Sequence, residues 1–385
     1  MRARRAAVTG MGAVAGLGHG VAAIWQGLLD GKRGPRPEPQ LTTLGLDVGI
    51  GPVALAPNLP LSAPNRATTL ALEAVREALA DAGDVPRGPR LGVTLGTTLG
   101  GITSVLGAVR SGAPARRWSY AGPAHAVATE VQASGPIEVT STACGSGNVA
   151  LGVARDLILE GRCDVVLAGG VDSLHDFVIS GFASLKALDP EPCRPFDRTR
   201  RGLNLGEGAS FLVIEEAEHA RRRGARIRAI LSGYGLSADA VHMTGPDRQG
   251  RGAARGMRNA LDAAGLTPGG VDFVSLHGTA TLFNDLMEAK AMVEVFGERA
   301  ATVPSNSVKS ALGHTLGAAG ALEAMICVRV LETGLIPPTV GHEKLDPEIP
   351  LRIVHGAPLV ADVRVALSTA SGFGGTNAAI VLERA

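Results

Sequence analysis

At 385 residues the chain is longer than one ordinary domain and suits two fused halves or one large α/β unit. Its 45% hydrophobic, 19% charged and 3% aromatic content describes a globular chain with an aliphatic Ala/Val/Leu core. A formal net charge of +1 provides no overall field for nucleic acid or an anionic membrane, and neither is expected as a partner.

The basic start at residues 1–5 followed by apolar residues superficially resembles a leader peptide. Glycines at 10, 12, 16, 18 and 20 interrupt it, and no later run reaches membrane-spanning length, so a first strand over 6–9 and a turn are expected. A helix over 66–83 follows, then strands over 91–95 and 137–140, a helix over 148–161, and strands over 165–168 and 210–215. After the charged stretch 221–224, the pattern continues with a strand over 227–232, a helix over 251–265 and a strand over 271–276. Helices over 286–296 and 318–334 flank a strand over 302–305, and strands over 351–354, 365–368 and 378–382 close the chain. The strands are continuous apolar runs, as expected where helices cover both sheet faces.

Residues 147–161 and 317–334 share one form: small residues lead into a long apolar helix that glycine ends. A duplicated α/β unit with two buried central helices produces this pattern. The expected halves are 1–224 and 225–385.

The four cysteines lack CxxC spacing and are too few for a disulfide framework, so a reducing cytoplasm is expected and no metal site. Cys163 and Cys327 lie within apolar patterns and read as core residues. Cys144 differs. It lies in Ser141-Thr142-Ala143-Cys144-Gly145-Ser146-Gly147, between a strand and a long helix. Unpaired N–H groups and the partial positive charge of a helix start favour the thiolate, the nucleophilic form. Taken alone, a buried structural cysteine is still the commoner case. His277 ends a predicted strand and so points into the crevice where α/β ligands bind. His314 follows Lys309 by five residues in a similar turn. His19, His125, His175, His219, His342 and His355 read as ordinary core or surface residues. The loop Gly372-Phe373-Gly374-Gly375-Thr376-Asn377 is either a tight turn or a source of an oxyanion-binding N–H with Phe373 as a gate.

Together these segments resemble the elongating β-ketoacyl-acyl-carrier-protein synthases over nearly the full length. The motifs that carry the resemblance are Val8-Thr9-Gly10-Met11-Gly12, Thr142-Ala143-Cys144-Gly145-Ser146-Gly147, Arg194-Pro195-Phe196-Asp197, Gly206-Glu207-Gly208-Ala209, Ser237-Ala238-Asp239-Ala240-Val241-His242-Met243-Thr244, His277-Gly278-Thr279, Lys309 with Gly313-His314, and the Gly372–Asn377 loop. The resemblance implies a thiolase-like duplicated αβαβα five-layer sandwich and a dimer, either a homodimer or a heterodimer with a related subunit. It also implies acyl carrier protein as partner and no cofactor. Cys144 would take the acyl group, and His277 and His314 would donate hydrogen bonds during malonyl decarboxylation. Lys309, paired with Glu323, would hold the electrostatics, and Phe373 would supply an oxyanion N–H. Leu99, Phe182 and Ser371 are the expected pocket residues.

The chain departs from the family pattern at several places. The segment Thr281-Leu282-Phe283 lacks the usual proline, Arg201 replaces an acidic residue, and Leu203 and Ser371 replace aromatics. The stretch from Gly100 to Cys144 is short. These changes bear on pocket, gate and partner, and admit fatty-acid, polyketide, polyene or specialised-lipid extension. A non-catalytic chain-length-type subunit is the alternative, although such subunits lack the cysteine. Arg116, Arg117, Arg200 and Arg201 are candidates for docking an acidic carrier.

Overall fold

The computed structural model describes residues 4–46, 50–63, 65–102, 105, 112 and 119–385. In the first half, β1 (Ala6–Ala15) leads to α1 (Arg66–Ala82), β2 (Leu91–Gly96), α2 (Gly122–Glu130) and β3 (Ile137–Thr140). Then come α3 (Ser146–Leu159), β4 (Val165–Asp172), α4 (Asp176–Ser184) and β5 (Gly208–Glu216). The second half runs β6 (Ala229–Ala238), α5 (Arg251–Ala264), β7 (Phe273–Ser275), α6 (Leu282–Phe296) and β8 (Pro304–Asn306). It ends with α7 (Ala319–Thr333), the short edge strand β9 (Arg352–Ile353), β10 (Val365–Gly372) and β11 (Thr376–Arg384).

Strand order exposes the duplication. Outward from the junction of β1 and β6, one side reads β1-β5-β4-β2-β3 and the other β6-β11-β10-β7-β8, with β9 added at the edge. Leaving β9 aside, both are first, fifth, fourth, second, third. The directions also match, with the pairs nearest the junction antiparallel and the outer pairs parallel. Helices α3 and α7 lie between the two sheet halves and touch each other, whereas α1 and α2 cover one outer face and α5 and α6 the other. The layers are therefore αβαβα, as the resemblance implied.

Local sequence explains the layering. Nearly every residue of α7 is buried, as expected for a helix that is apolar all round. Helix α5 is strongly two-faced, with Ala254, Met257, Ala260 and Leu261 buried and arginines outward. Gly265 and Gly334, both left-handed, end α5 and α7 where the sequence placed their stops. Helix α6 starts at Leu282, earlier than expected, with Thr281 as its N-cap and Asp285 in the first turn, where a carboxylate suits the helix dipole. Helices α2 and α4 were not among the expected segments, and the predicted strand over 351–354 pairs only at Arg352–Ile353. Among the described residues no helix is long and apolar enough to cross a membrane.

Candidate active site

Cys144 sits in the turn between β3 and α3. Its neighbour Ala143 has φ 50, a left-handed conformation costing about 1–2 kcal/mol for a residue with a Cβ. Several hydrogen bonds hold it there. Ser146 Oγ donates to the Ala143 carbonyl at 2.6 Å and accepts from Thr142 N–H at 2.9 Å. Thr98 Oγ1 donates to the same Ala143 carbonyl at 3.2 Å, and Thr376 Oγ1 donates to the Thr142 carbonyl at 3.1 Å. The last bond ties the Gly372–Asn377 loop to the nucleophile turn.

The second half repeats the arrangement, and His314 precedes α7 much as Cys144 precedes α3. Close approach of the two central helices brings these turns together. A Cβ on Gly147 would lie 2.6 Å from Ala321 N, and one on Gly320 would lie 2.2 Å from Asn148 Oδ1, so the small residues are a packing requirement. As a result His314 Nε2 lies 2.9 Å from Cys144 Sγ. The His277 ring stands perpendicular to His314, with centroids 5.3 Å apart.

Helix α6 positions His277 through two acidic residues on one face (i, i+3). Glu288 accepts from the backbone N–H of His277 at 2.6 Å and of Gly278 at 2.7 Å, and Asp285 accepts from Ala280 N–H at 3.1 Å. Burial raises these carboxyls, Glu288 to about 7 and Asp285 to about 6, against the hydrogen bonds that lower them. Sequence reasoning missed both; the signal was a pair of acids one helical turn apart just beyond His-Gly-Thr. It also missed Asp172, an acid closing the apolar run of β4.

Lys309 and Glu323 form a buried ion pair beside the trio. Burial pushes the Cys144 thiol up to about 12, while the Lys309 charge pulls it down. Desolvation outweighs the pull of the helix start and of Lys309 toward the thiolate, so Cys144 is held as a thiol at neutral pH. Burial holds His277 and His314 well below the ordinary histidine value, with Lys309 reinforcing the effect, so both rings are neutral. Sγ and the two imidazole nitrogens lie within 4.8 Å of one another, a spacing compatible with zinc-type ligation. The Lys309 charge, which acts on all three groups, opposes a cation there.

The trio forms the floor of a cleft of about 800 Å³ whose lining includes Phe182, Leu203, Phe283, Ser371 and Phe373. Phe182 stands edge-on to His314 and stacks on Phe373 at 5.6 Å. Ser371 Oγ donates to Asn377 Oδ1 at 2.8 Å. Leu99 does not line the cleft; it packs with Leu174, Ile179, Leu205 and Leu316 in a neighbouring apolar cluster. Arg200 is not a surface group. It is buried, paired with Asp346 at 2.5 Å and close to Asp285, which corrects its reading as a docking residue. Arg201 is exposed, lines the cleft and pairs with Asp189. Arg116 and Arg117 lie outside the described residues.

The N-terminal domain of beta-ketoacyl synthase matches residues 60–220, and its C-terminal domain matches residues 228–343. Nodulation protein E of Rhizobium meliloti (strain 1021) is 38% identical over 99% of each chain. The solved ishigamide ketosynthase/chain length factor is similar at TM-score 0.91 and 38% identity, covering 99% of each chain. A type II polyketide acyl-carrier protein in complex with its ketosynthase bound to the hexaketide matches at TM-score 0.92 and 31% identity over 100% of each chain.

Proposed function

The chain belongs to the β-ketoacyl synthase family, and on that premise we propose that it condenses a Cys144-bound acyl group with malonyl-acyl-carrier protein. The observation that carries the reading is the 2.9 Å contact between Cys144 Sγ and His314 Nε2 on the cleft floor, with His277 perpendicular beside it.

In the first half-reaction the thiol passes its proton to His314 Nε2 as sulfur attacks the acyl-carrier thioester. The oxyanion is held by the backbone N–H groups of Cys144 and Phe373. Its collapse breaks the carrier C–S bond, and the departing carrier thiolate takes the proton back from His314. In the second half-reaction malonyl-carrier loses carbon dioxide, and the electron pair of the broken C–C bond moves onto the thioester oxygen. Neutral His277 donates a hydrogen bond to that enolate, and so does His314 once its single proton sits on Nε2 rather than Nδ1. Its carbon attacks the acyl-Cys144 carbonyl, the C–S bond breaks, and the sulfur regains a proton from water. The product is a β-ketoacyl-carrier protein two carbons longer.

Burial, reinforced by the Lys309 charge, keeps both imidazoles neutral, Glu323 pairs with that lysine, and Phe373 with Phe182 gates the cleft. The partners are an acyl carrier protein and a second ketosynthase-like subunit, identical or related. Similarity to the polyketide complex and the altered Ser371 gate favour a polyketide or specialised-lipid pathway. The join of the halves falls near residue 224, between β5 and β6, and four unpaired cysteines support a cytoplasmic setting.

Incubation with acyl-carrier protein should add one acyl mass to the chain and none to Cys144→Ala; acylation of that variant refutes the nucleophile. His277→Ala and His314→Ala should lose malonyl decarboxylation, and carbon dioxide release at the wild-type rate from either removes that residue from the mechanism.

A further inference from the structure

One carboxylate outside the reacting trio touches both halves of the site. Asp172, fully buried, ends β4. Its Oδ1 accepts from Thr97 Oγ1 at 2.8 Å and from Leu99 N–H at 3.0 Å. Its Oδ2 accepts from Thr98 N–H at 2.8 Å and from Gly317 N–H at 2.7 Å. The four donors use the four lone-pair directions of a carboxylate. Among the described residues no cation pairs with it.

These donors come from two different places. Thr97 to Leu99 form the segment after β2, where Thr98 Oγ1 donates to the Ala143 carbonyl beside Cys144. Tyr120 Oη braces the same segment, donating to the Thr97 and Thr98 carbonyls at 2.8 and 2.9 Å. Gly317 belongs to the other half, in the turn that carries His314 into α7. There is no slack at that contact, because a Cβ on Gly317 would lie 2.7 Å from Oδ2.

We propose that Asp172 is a positioning residue that sets the reach between Cys144 and His314 by clamping the nucleophile-side segment and the histidine-side turn to one carboxylate. The inference rests on the condensing role proposed above. A carboxylate is required because an amide would turn an NH2 group toward two N–H or O–H donors, leaving them unpaired in the interior.

The test uses the full chain and measures Cys144 acylation by intact mass across a range of acyl-carrier concentrations. For Asp172→Asn the saturating rate should fall about a hundredfold, as a misplacement near 1 Å does, with the half-saturating concentration unchanged. The Asp172 charge raises the Cys144 pKa, so the pH profile of Cys144 alkylation by iodoacetamide should move to lower pH in the same variant. A merely loosened fold would also hydrate the thiol and lower its pKa, so the half-saturating concentration is the deciding readout: it stays unchanged for a positioning role and rises where the cleft itself loosens. A folded Asp172→Asn protein that acylates at the wild-type rate overturns the proposal. If that variant does not fold, Thr98→Val keeps the N–H to Asp172 and removes only the hydroxyl link to Ala143. It should acylate about fivefold more slowly, the equivalent of one ordinary hydrogen bond, and a wild-type rate again overturns the proposal. Failure of the wild-type chain itself to acylate at Cys144 refutes the condensing role instead.

Discussion

Gly147→Ala tests whether contact between the central helices creates the active site. The added Cβ would lie 2.6 Å from Ala321 N and 3.0 Å from the Gly317 carbonyl oxygen, against 3.4 Å or more for ordinary contact. The shortfall at Ala321 is 3.4 − 2.6 = 0.8 Å, and both neighbours are backbone atoms that cannot rotate aside. Relief requires α7 to move away from α3, which draws His314 from its 2.9 Å contact with Cys144. Overpacking costs about 1–3 kcal/mol, offset by about 1 kcal/mol from the better helix propensity of alanine. Stability should therefore fall by no more than about 2 kcal/mol, while acylation should slow about a hundredfold. Gly181→Ala in α4 is the control: its Cβ would meet nothing within 4 Å, so the substitution should stabilise by up to about 1 kcal/mol. Denaturant midpoints report stability, and intact-mass time courses with acyl-carrier protein report acylation. A Gly147→Ala chain that acylates within about twofold of wild type refutes the reasoning, since the overlap would then have been absorbed without moving the two turns.

Glu323→Gln removes the carboxylate from a buried Lys309 and should destabilise the chain by about 3–5 kcal/mol in chemical denaturation; an unchanged midpoint means that the pair contributes no net stability. Arg200→Ala leaves Asp285 and Asp346 without their cation and should cost a similar amount, whereas Arg201→Ala, at an exposed pair, should change stability by no more than about 1 kcal/mol. Equal effects from the two arginines would contradict their different burial. Because His277 and His314 titrate well below the ordinary value, both stay neutral as pH falls through 6.5. The imidazoles should therefore cause no fall in malonyl decarboxylation as pH drops from 8 to about 6; a fall over that range that persists in Glu288→Gln, where the carboxyl at about 7 is gone, would show imidazoles titrating as free ones do.

The legible parts of this protein were those set by local pattern. Continuous apolar runs marked most of the strands, glycine stops marked the ends of α5 and α7, and the small-residue turn singled out Cys144 from Cys163 and Cys327. The short helices α2 and α4 escaped because each has only nine residues and buries four and three of them, too few to trace a helical stripe. Arg200 and Arg201 are adjacent in sequence and indistinguishable there, yet one is buried between two aspartates and the other lines the cleft. Asp285, Glu288 and Asp172 read as ordinary acids until the backbone N–H groups around them were known.

By itself the sequence determined the duplicated strand and helix units and the residue types available for thioester chemistry, because periodicity, turn residues and helix starts act over a few positions. Only the tertiary structure brought Cys144 and His314 together across 170 residues, and Asp172 to Gly317 across 145. It also made the thiol, both imidazoles and the lysine pair share one desolvated floor. Those distances follow from strand order and from how closely glycine lets two buried helices approach, and protonation follows from the burial that results.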